Sequence, residues 1–158
     1  MAIQAGERIP NIELQVMGSN GPEKVSTGDL FAGKKVVMFA VPGAFTPTCS
    51  KAHLPGFVVD ADKIKAKGVD SIICTSVNDT FVMDAWGKAN NAEQIVMLAD
   101  GLGEFANAVG LTQDRTATQM GIRSQRYAMI VDDGIITLLN VDEQGLEKTS
   151  SEAILAAL

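Results

Sequence analysis

The sequence predicts an α/β fold: a mixed central sheet, parallel in its first half and antiparallel in its last, with helices on both faces. Three observations carry this. Continuous β-branched and aromatic runs, beginning with "KVVMFAVP" (Lys35–Pro42), alternate with amphipathic stretches of helical period. An Asp-Asp-Gly sequence at 132–134 interrupts a long apolar run in the way a tight hairpin does. The chain has 158 residues, 46% of them hydrophobic and 20% charged, which suits one compact domain over residues 1–158 whose core needs no disulfide or metal.

Taken in order, "MGSNGPEK" (Met17–Lys24) reads as a short polar hairpin. Lys35–Pro42 has the composition of a strand buried on both faces and is therefore central. From Pro47 to Lys67, residues Cys49, Ala52, Leu54, Phe57, Val58, Ala61 and Ile64 recur at near-helical spacing. Pro55 should kink that helix, because it removes one backbone hydrogen bond. Val69–Val77 is a second buried strand, Asp79–Asn90 a helix capped by Asp79, Gln94–Asp100 a third strand and Gly103–Leu111 another helix. Arg126–Val141 forms two antiparallel strands, and "SSEAILAAL" closes the chain as a capped helix. This order resembles that of thioredoxin-like folds.

Composition removes several function classes. The net charge is −6 and the thirteen Lys and Arg residues are scattered, so there is no electrostatic footprint for nucleic acid or an anionic membrane. No run approaches the ~18 apolar residues of a membrane span. "MAIQAGERIPNIEL" has no apolar segment behind a basic start, so a soluble, cytoplasmic protein is expected. Cys49 and Cys74, far apart in sequence, suit a reducing compartment and not a disulfide framework. One His and no CxxC leave too few ligands for a structural zinc, and neither metal nor cofactor is expected.

In a parallel α/β sheet, ligands gather where strands end and helices begin. "VPGAFTPTCSKAHLPGF" (Val41–Phe57) spans such a junction. A cysteine in the first helical turn meets unsatisfied amide donors and the positive end of the helix dipole, both of which favour thiolate. Cys49 is thus expected as an exposed, activated thiol, with the Thr46 hydroxyl three residues earlier in reach of the sulfur or of a small molecule beside it. Pro42 and Pro47 stiffen the turn. The competing reading, an inert buried cysteine, gives these neighbours no purpose.

The spacing Pro42-xxx-Thr46-xx-Cys49 matches the PxxxTxxC signature of peroxiredoxins, and the longer string resembles their type II, five-like group. The resemblance continues in "CTSVND", "FVMDAW", "LADGLGEFANAVGL" and "IRSQRYAMIVDDG", so it spans nearly the whole chain. It implies a thioredoxin-like fold and a thiol-dependent peroxidase. Cys49 would reduce hydrogen peroxide and alkyl hydroperoxides through a sulfenic acid, regenerated by glutaredoxin with glutathione or by thioredoxin. It also implies that Arg126, from a distant strand, completes the site. Arg126, Thr46 and amides near Gly43 and Cys49 would steady the departing oxygen, and Pro42 would limit water. A homodimer is implied too, with Phe45 as the candidate contact. Cys74, in "CTSVND", is the resolving thiol in some relatives. External resolution is favoured here, since a buried strand cysteine would meet Cys49 only if the helix unwound.

Other readings rank lower. Gly101, Gly103 and Ala106 satisfy GxGxxA, but Asp100 would oppose a pyrophosphate. His53, one turn after Cys49, has no identifiable Asn or Asp to orient it as a general base and reads as a satisfied structural residue. Trp86, Met38, Met97 and Met129 read as core. A thiol-disulfide oxidoreductase would want a second cysteine where Thr46 stands, and an interaction or chaperone module would leave Cys49 dispensable.

Overall fold

A computed structural model describes residues 1–158. The strands are β1 (Glu13–Gly18), β2 (Gly21–Ser26), β3 (Lys35–Ala40), β4 (Ser71–Ser76), β5 (Ile95–Ala99), β6 (Thr112–Arg115), β7 (Gly121–Ser124), β8 (Arg126–Asp132) and β9 (Ile135–Asp142). The α-helices are α1 (Thr27–Phe31), α2 (Leu54–Ala66), α3 (Thr80–Ala89), α4 (Glu104–Ala108) and α5 (Ser151–Ala157). Seven strands form one sheet in the order β2-β1-β5-β4-β3-β8-β9, with β3, β4 and β5 parallel and β8 and β9 antiparallel. Strands β6 and β7 pair as a separate ribbon.

The alternation along the central strands sorts their side chains into two cores. Val37, Phe39, Cys74 and Ala128 face α2, α3 and α5, whereas Met38, Ala40, Ile73, Tyr127 and Met129 face α1 and α4. Burial on both faces explains why β3 reads as an unbroken apolar run. Each large side chain so buried contributes about 1.5–3 kcal/mol, which fixes the register of the sheet against a slip that would turn these residues outward. The Asp133-Gly134 loop completes the β8–β9 hairpin with φ values of 47° and 81°, the geometry of a type I′ turn. Ala128 shares its face with Cys49, so Arg126, two residues earlier on β8, projects to that side as well.

The helix proposed for 47–67 is found over 47–66, with its irregularity in the turn before Pro55. Cys49–His53 form a π-turn in which the Leu54 amide reaches back to the Cys49 carbonyl, and the regular segment α2 follows it, with Pro55 in its first turn. Pro55 has no amide to donate to residue 51 and its ring crowds that carbonyl, and a wider turn relieves both. The α1 helix and the β6–β7 ribbon carried no sequence signal. The first is a five-residue helix held by the Ser26 cap on the Asp29 amide (3.1 Å), and "TQDR" and "GIRS" lack apolar alternation. No helix is long and apolar enough to cross a membrane.

Candidate active site

The loop after β3 carries Pro42, Gly43 and Thr46 and delivers Cys49 to the start of the π-turn. The expected exposed thiol is not found. Cys49 is 0% exposed and packs with Phe39, Leu54 and Phe57, because the apolar spacing that begins at Cys49 points the inner face of the helix into the core. Its sulfur accepts a hydrogen bond from Arg126 Nη2 at 3.2 Å. Arg126 is itself buried and forms no ion pair with any carboxylate. A buried guanidinium without an anion is costly, and of the two groups bonded to it the Cys49 sulfur is the one able to carry negative charge.

The second arm of the guanidinium, Nη1, lies 2.7 Å from His53 Nδ1, and His53 Nε2 lies 2.9 Å from the Thr149 carbonyl. A carbonyl only accepts and a guanidinium only donates, so His53 carries its proton on Nε2 and accepts at Nδ1. Burial first, and the Arg126 charge second, lower its pKa to about 3, against the opposing effects of the Thr149 bond and Asp142. His53 is therefore a neutral imidazole. Phe39 lies 4.9 Å from its ring and stacks on Phe57 at 4.0 Å. Thr149 is fixed in turn by Asp142, which accepts from its amide (3.0 Å) and hydroxyl (2.7 Å). Burial alone would raise the Asp142 pKa. These bonds, with those from the Glu147 and Lys148 amides, prevail and hold it below the usual carboxylate range.

Thr46 does not reach the sulfur. Its hydroxyl donates to the Gly43 carbonyl at 2.6 Å, which leaves its oxygen lone pairs as acceptors. The turn is closed further by Ser50 N donating to the Thr46 carbonyl (2.9 Å) and Ala44 N donating to Asn78 Oδ1 (2.9 Å). A Cβ at Gly43 would stand 3.0 Å from Thr46 Cγ2 and 3.1 Å from Met120 Cε, so a side chain there would have to push both aside by a few tenths of an ångström. The amides of Gly43 and Cys49 donate to no protein group. A polar cleft of about 470 Å³, lined by Pro42, Thr48, Gln113, Arg115 and Arg126, opens beside them.

Cys74 lies on β4 opposite Phe39 and Met97, fully buried, with its pKa pushed up by burial and by Cys49. The two cysteines share one core but form no disulfide. The GxGxxA stretch is no phosphate cradle, since Asp100 already accepts from the Phe105 (3.1 Å) and Ala106 (2.9 Å) amides at the start of α4. Trp86 is core as expected, but its indole N–H also donates to Ser50 Oγ (2.9 Å), tying α3 to the π-turn.

The Redoxin family model matches residues 4–155. The chain is 46% identical over 159 residues to peroxiredoxin-2C of Oryza sativa subsp. japonica, covering 99% of this chain and 98% of that one. This chain belongs to the peroxiredoxin family. Membership makes it a thiol-dependent peroxidase, and the type II resemblance stands. It is also 44% identical to the chloroplastic peroxiredoxin-2E of Arabidopsis thaliana, over 99% of this chain and 70% of the relative. Reduced Prx3 of Vibrio vulnificus, solved in complex with H2O2, superposes with a TM-score of 0.95 at 56% identity, over 98% of each chain. The thioredoxin-like fold read from element order is the fold of this peroxiredoxin.

The sequence reading missed what His53, Asn78 and Asp142 do. His53 was visible as the only histidine, one turn beyond Cys49, but its partners arrive from β8 and from the segment after β9, and no local spacing reports them. A stability signature follows. Unfolded, His53 takes up a proton near its ordinary pKa of 6.5, and folded only near about 3. Its contribution is complete above the unfolded value and declines as pH falls through this window, by about 1.4 kcal/mol per pH unit. Chemical denaturation across pH is expected to show a shallower acid slope for His53→Asn than for the parent. Parallel slopes would contradict a neutral buried His53.

Proposed function

We propose that Cys49 is the peroxidatic nucleophile and that Arg126 and Thr46 act on the oxygens of the peroxide. The Arg126–Cys49 contact carries this reading. The Cys49 thiolate attacks the terminal oxygen of ROOH, so that an S–O bond forms as the O–O bond breaks. Sulfur is oxidised by two electrons to a sulfenic acid, and the released alkoxide takes a proton to leave as alcohol or, from hydrogen peroxide, as water. Thr46 has committed its proton to Gly43, which suits its oxygen to accept the O–H of the incoming peroxide. Arg126 and the free amides of Gly43 and Cys49 suit the charge that grows on the leaving oxygen. Pro42, buried at the edge of the cleft, screens the sulfur from water. Hydrogen peroxide and short alkyl hydroperoxides are the substrates such a polar cleft favours.

Peroxide-consumption kinetics test these roles. Cys49→Ser is expected to abolish turnover, and Arg126→Gln and Thr46→Val each to lower kcat/KM by roughly tenfold to a thousandfold. Rates within twofold of the parent for Arg126→Gln would reject the assignment.

Regeneration is assigned to an external thiol, glutaredoxin with glutathione ahead of thioredoxin, with Cys74 a secondary partner. Cys74 lies inside β4, paired to β3 on one side and β5 on the other, and a disulfide to Cys49 would require the π-turn to open. After one equivalent of peroxide without added thiol, disulfide mapping should find Cys49–Cys74 bonding slow and incomplete, and Cys74→Ala should retain glutaredoxin-supported turnover. Rapid, complete bonding with turnover lost in the variant would reverse the assignment. Two free cysteines suit a reducing compartment such as the cytoplasm.

A homodimer is the proposed assembly. Phe45 holds a left-handed backbone (φ 64°) and is 55% exposed, and Leu102 and Ile122 add further exposed apolar surface. Light scattering at tens of micromolar protein should give a dimer mass, and a monomer mass would contradict it.

A further inference from the structure

We infer that His53 is the positioning residue of this site: it holds the Arg126 guanidinium by one arm so that the other faces Cys49, and does so without contributing a compensating charge. The inference rests on the reading of Cys49 and Arg126 given above. A guanidinium is planar, and two of its donors fix its orientation. Here those contacts are Nη1 to His53 Nδ1 at 2.7 Å and Nη2 to Cys49 Sγ at 3.2 Å. Only the sulfur contact involves the reacting atom. The other exists to satisfy a buried donor, and the group used for that purpose decides how much of the positive charge the sulfur experiences.

A carboxylate in that place would pair with Arg126 and compete with the thiolate for its charge. The nearby carboxylate, Asp142, is instead occupied by the Glu147, Lys148 and Thr149 amides and the Thr149 hydroxyl. An imidazole can accept with no charge, provided its proton is kept on the far nitrogen. The Thr149 carbonyl keeps it there, 2.9 Å from Nε2, and Asp142 fixes Thr149. The charged groups acting on the ring are thus Arg126 from β8 and Asp142 from β9. Desolvation and Arg126 keep it neutral through the working pH range. As negative charge passes from sulfur to the leaving oxygen, a guanidinium anchored by a neutral partner stays aimed at the reacting atoms.

Two near-isosteric variants separate the arms of the ring. Asparagine at 53 keeps an acceptor at the Nδ1 position for Arg126, whereas glutamine keeps a donor at the Nε2 position for Thr149 and leaves Nη1 without its acceptor. Single-turnover peroxide kinetics should therefore give His53→Asn a rate constant within about threefold of the parent and His53→Gln a loss of roughly tenfold or more, the scale of a misaimed charged donor. Equal losses, or no loss in either, would overturn the inference. Arg126→Gln is the control. A parental rate in that variant sinks the reading of the site itself, whereas Arg126 dependence without discrimination at 53 sinks only the role of His53. Should a variant fail to fold, nitrogen NMR of the single histidine in the intact protein decides. The neutral Nε2–H tautomer with a hydrogen-bonded Nδ1, shifting on Arg126→Gln, supports the inference. The Nδ1–H tautomer, or protonation near pH 6.5 in the folded state, contradicts it.

Discussion

The 3.2 Å contact between Arg126 Nη2 and Cys49 Sγ is the interaction around which the molecule is organised. A charged guanidinium is a poor occupant of an apolar interior, and the Cys49 sulfur and the His53 ring are the two groups that satisfy it there. Burial strengthens the contact, because a hydrogen bond from a charged donor is electrostatically stronger in the low-dielectric interior than in water. The thiol lies under the surface and not on it, with the cleft lined by Pro42 and Thr48 beside it.

Holding that contact accounts for much of the fold. Strand β3 lies between β4 and β8, so the loop leaving β3 and the residue beginning β8 meet at one end of the sheet. The tight Asp133-Gly134 turn sets the β8–β9 pairing, and the alternation of β8 turns Arg126 to the side of α2. The π-turn then brings Cys49 and His53 to the same guanidinium, and Trp86 braces it through Ser50. A reaction that opened this turn would break the Ser50–Trp86 bond as well as the Arg126 contacts.

What could be read from the sequence follows from how local each cause is. The two-face burial of β3, the Asp79 cap and the Asp133-Gly134 hairpin are encoded within a few residues and are found where expected. The α1 helix and the β6–β7 ribbon depend on caps and pairings with little hydrophobic pattern behind them. The π-turn depends on how one proline is absorbed. In the site, Pro42, Gly43, Thr46 and Cys49 lie within one short stretch and stood out together, whereas Arg126 was reached only through resemblance, because a lone arginine opening a strand says nothing of what lies across the sheet. His53 was passed over because its orienting partners were sought among Asn and Asp, and they are a cation and a carbonyl.

The most direct measurement is the ultraviolet thiolate absorbance at neutral pH of the Cys74→Ala protein, with and without Arg126→Gln. Removing Cys74 leaves Cys49 as the only thiol, so the signal reports the ion that the guanidinium is held to stabilise. Thiolate present in the arginine protein and lost in the glutamine variant is the expected result. Equal absorbance in both, or none in either, would contradict the claim that the buried Arg126 charge sets the state of Cys49.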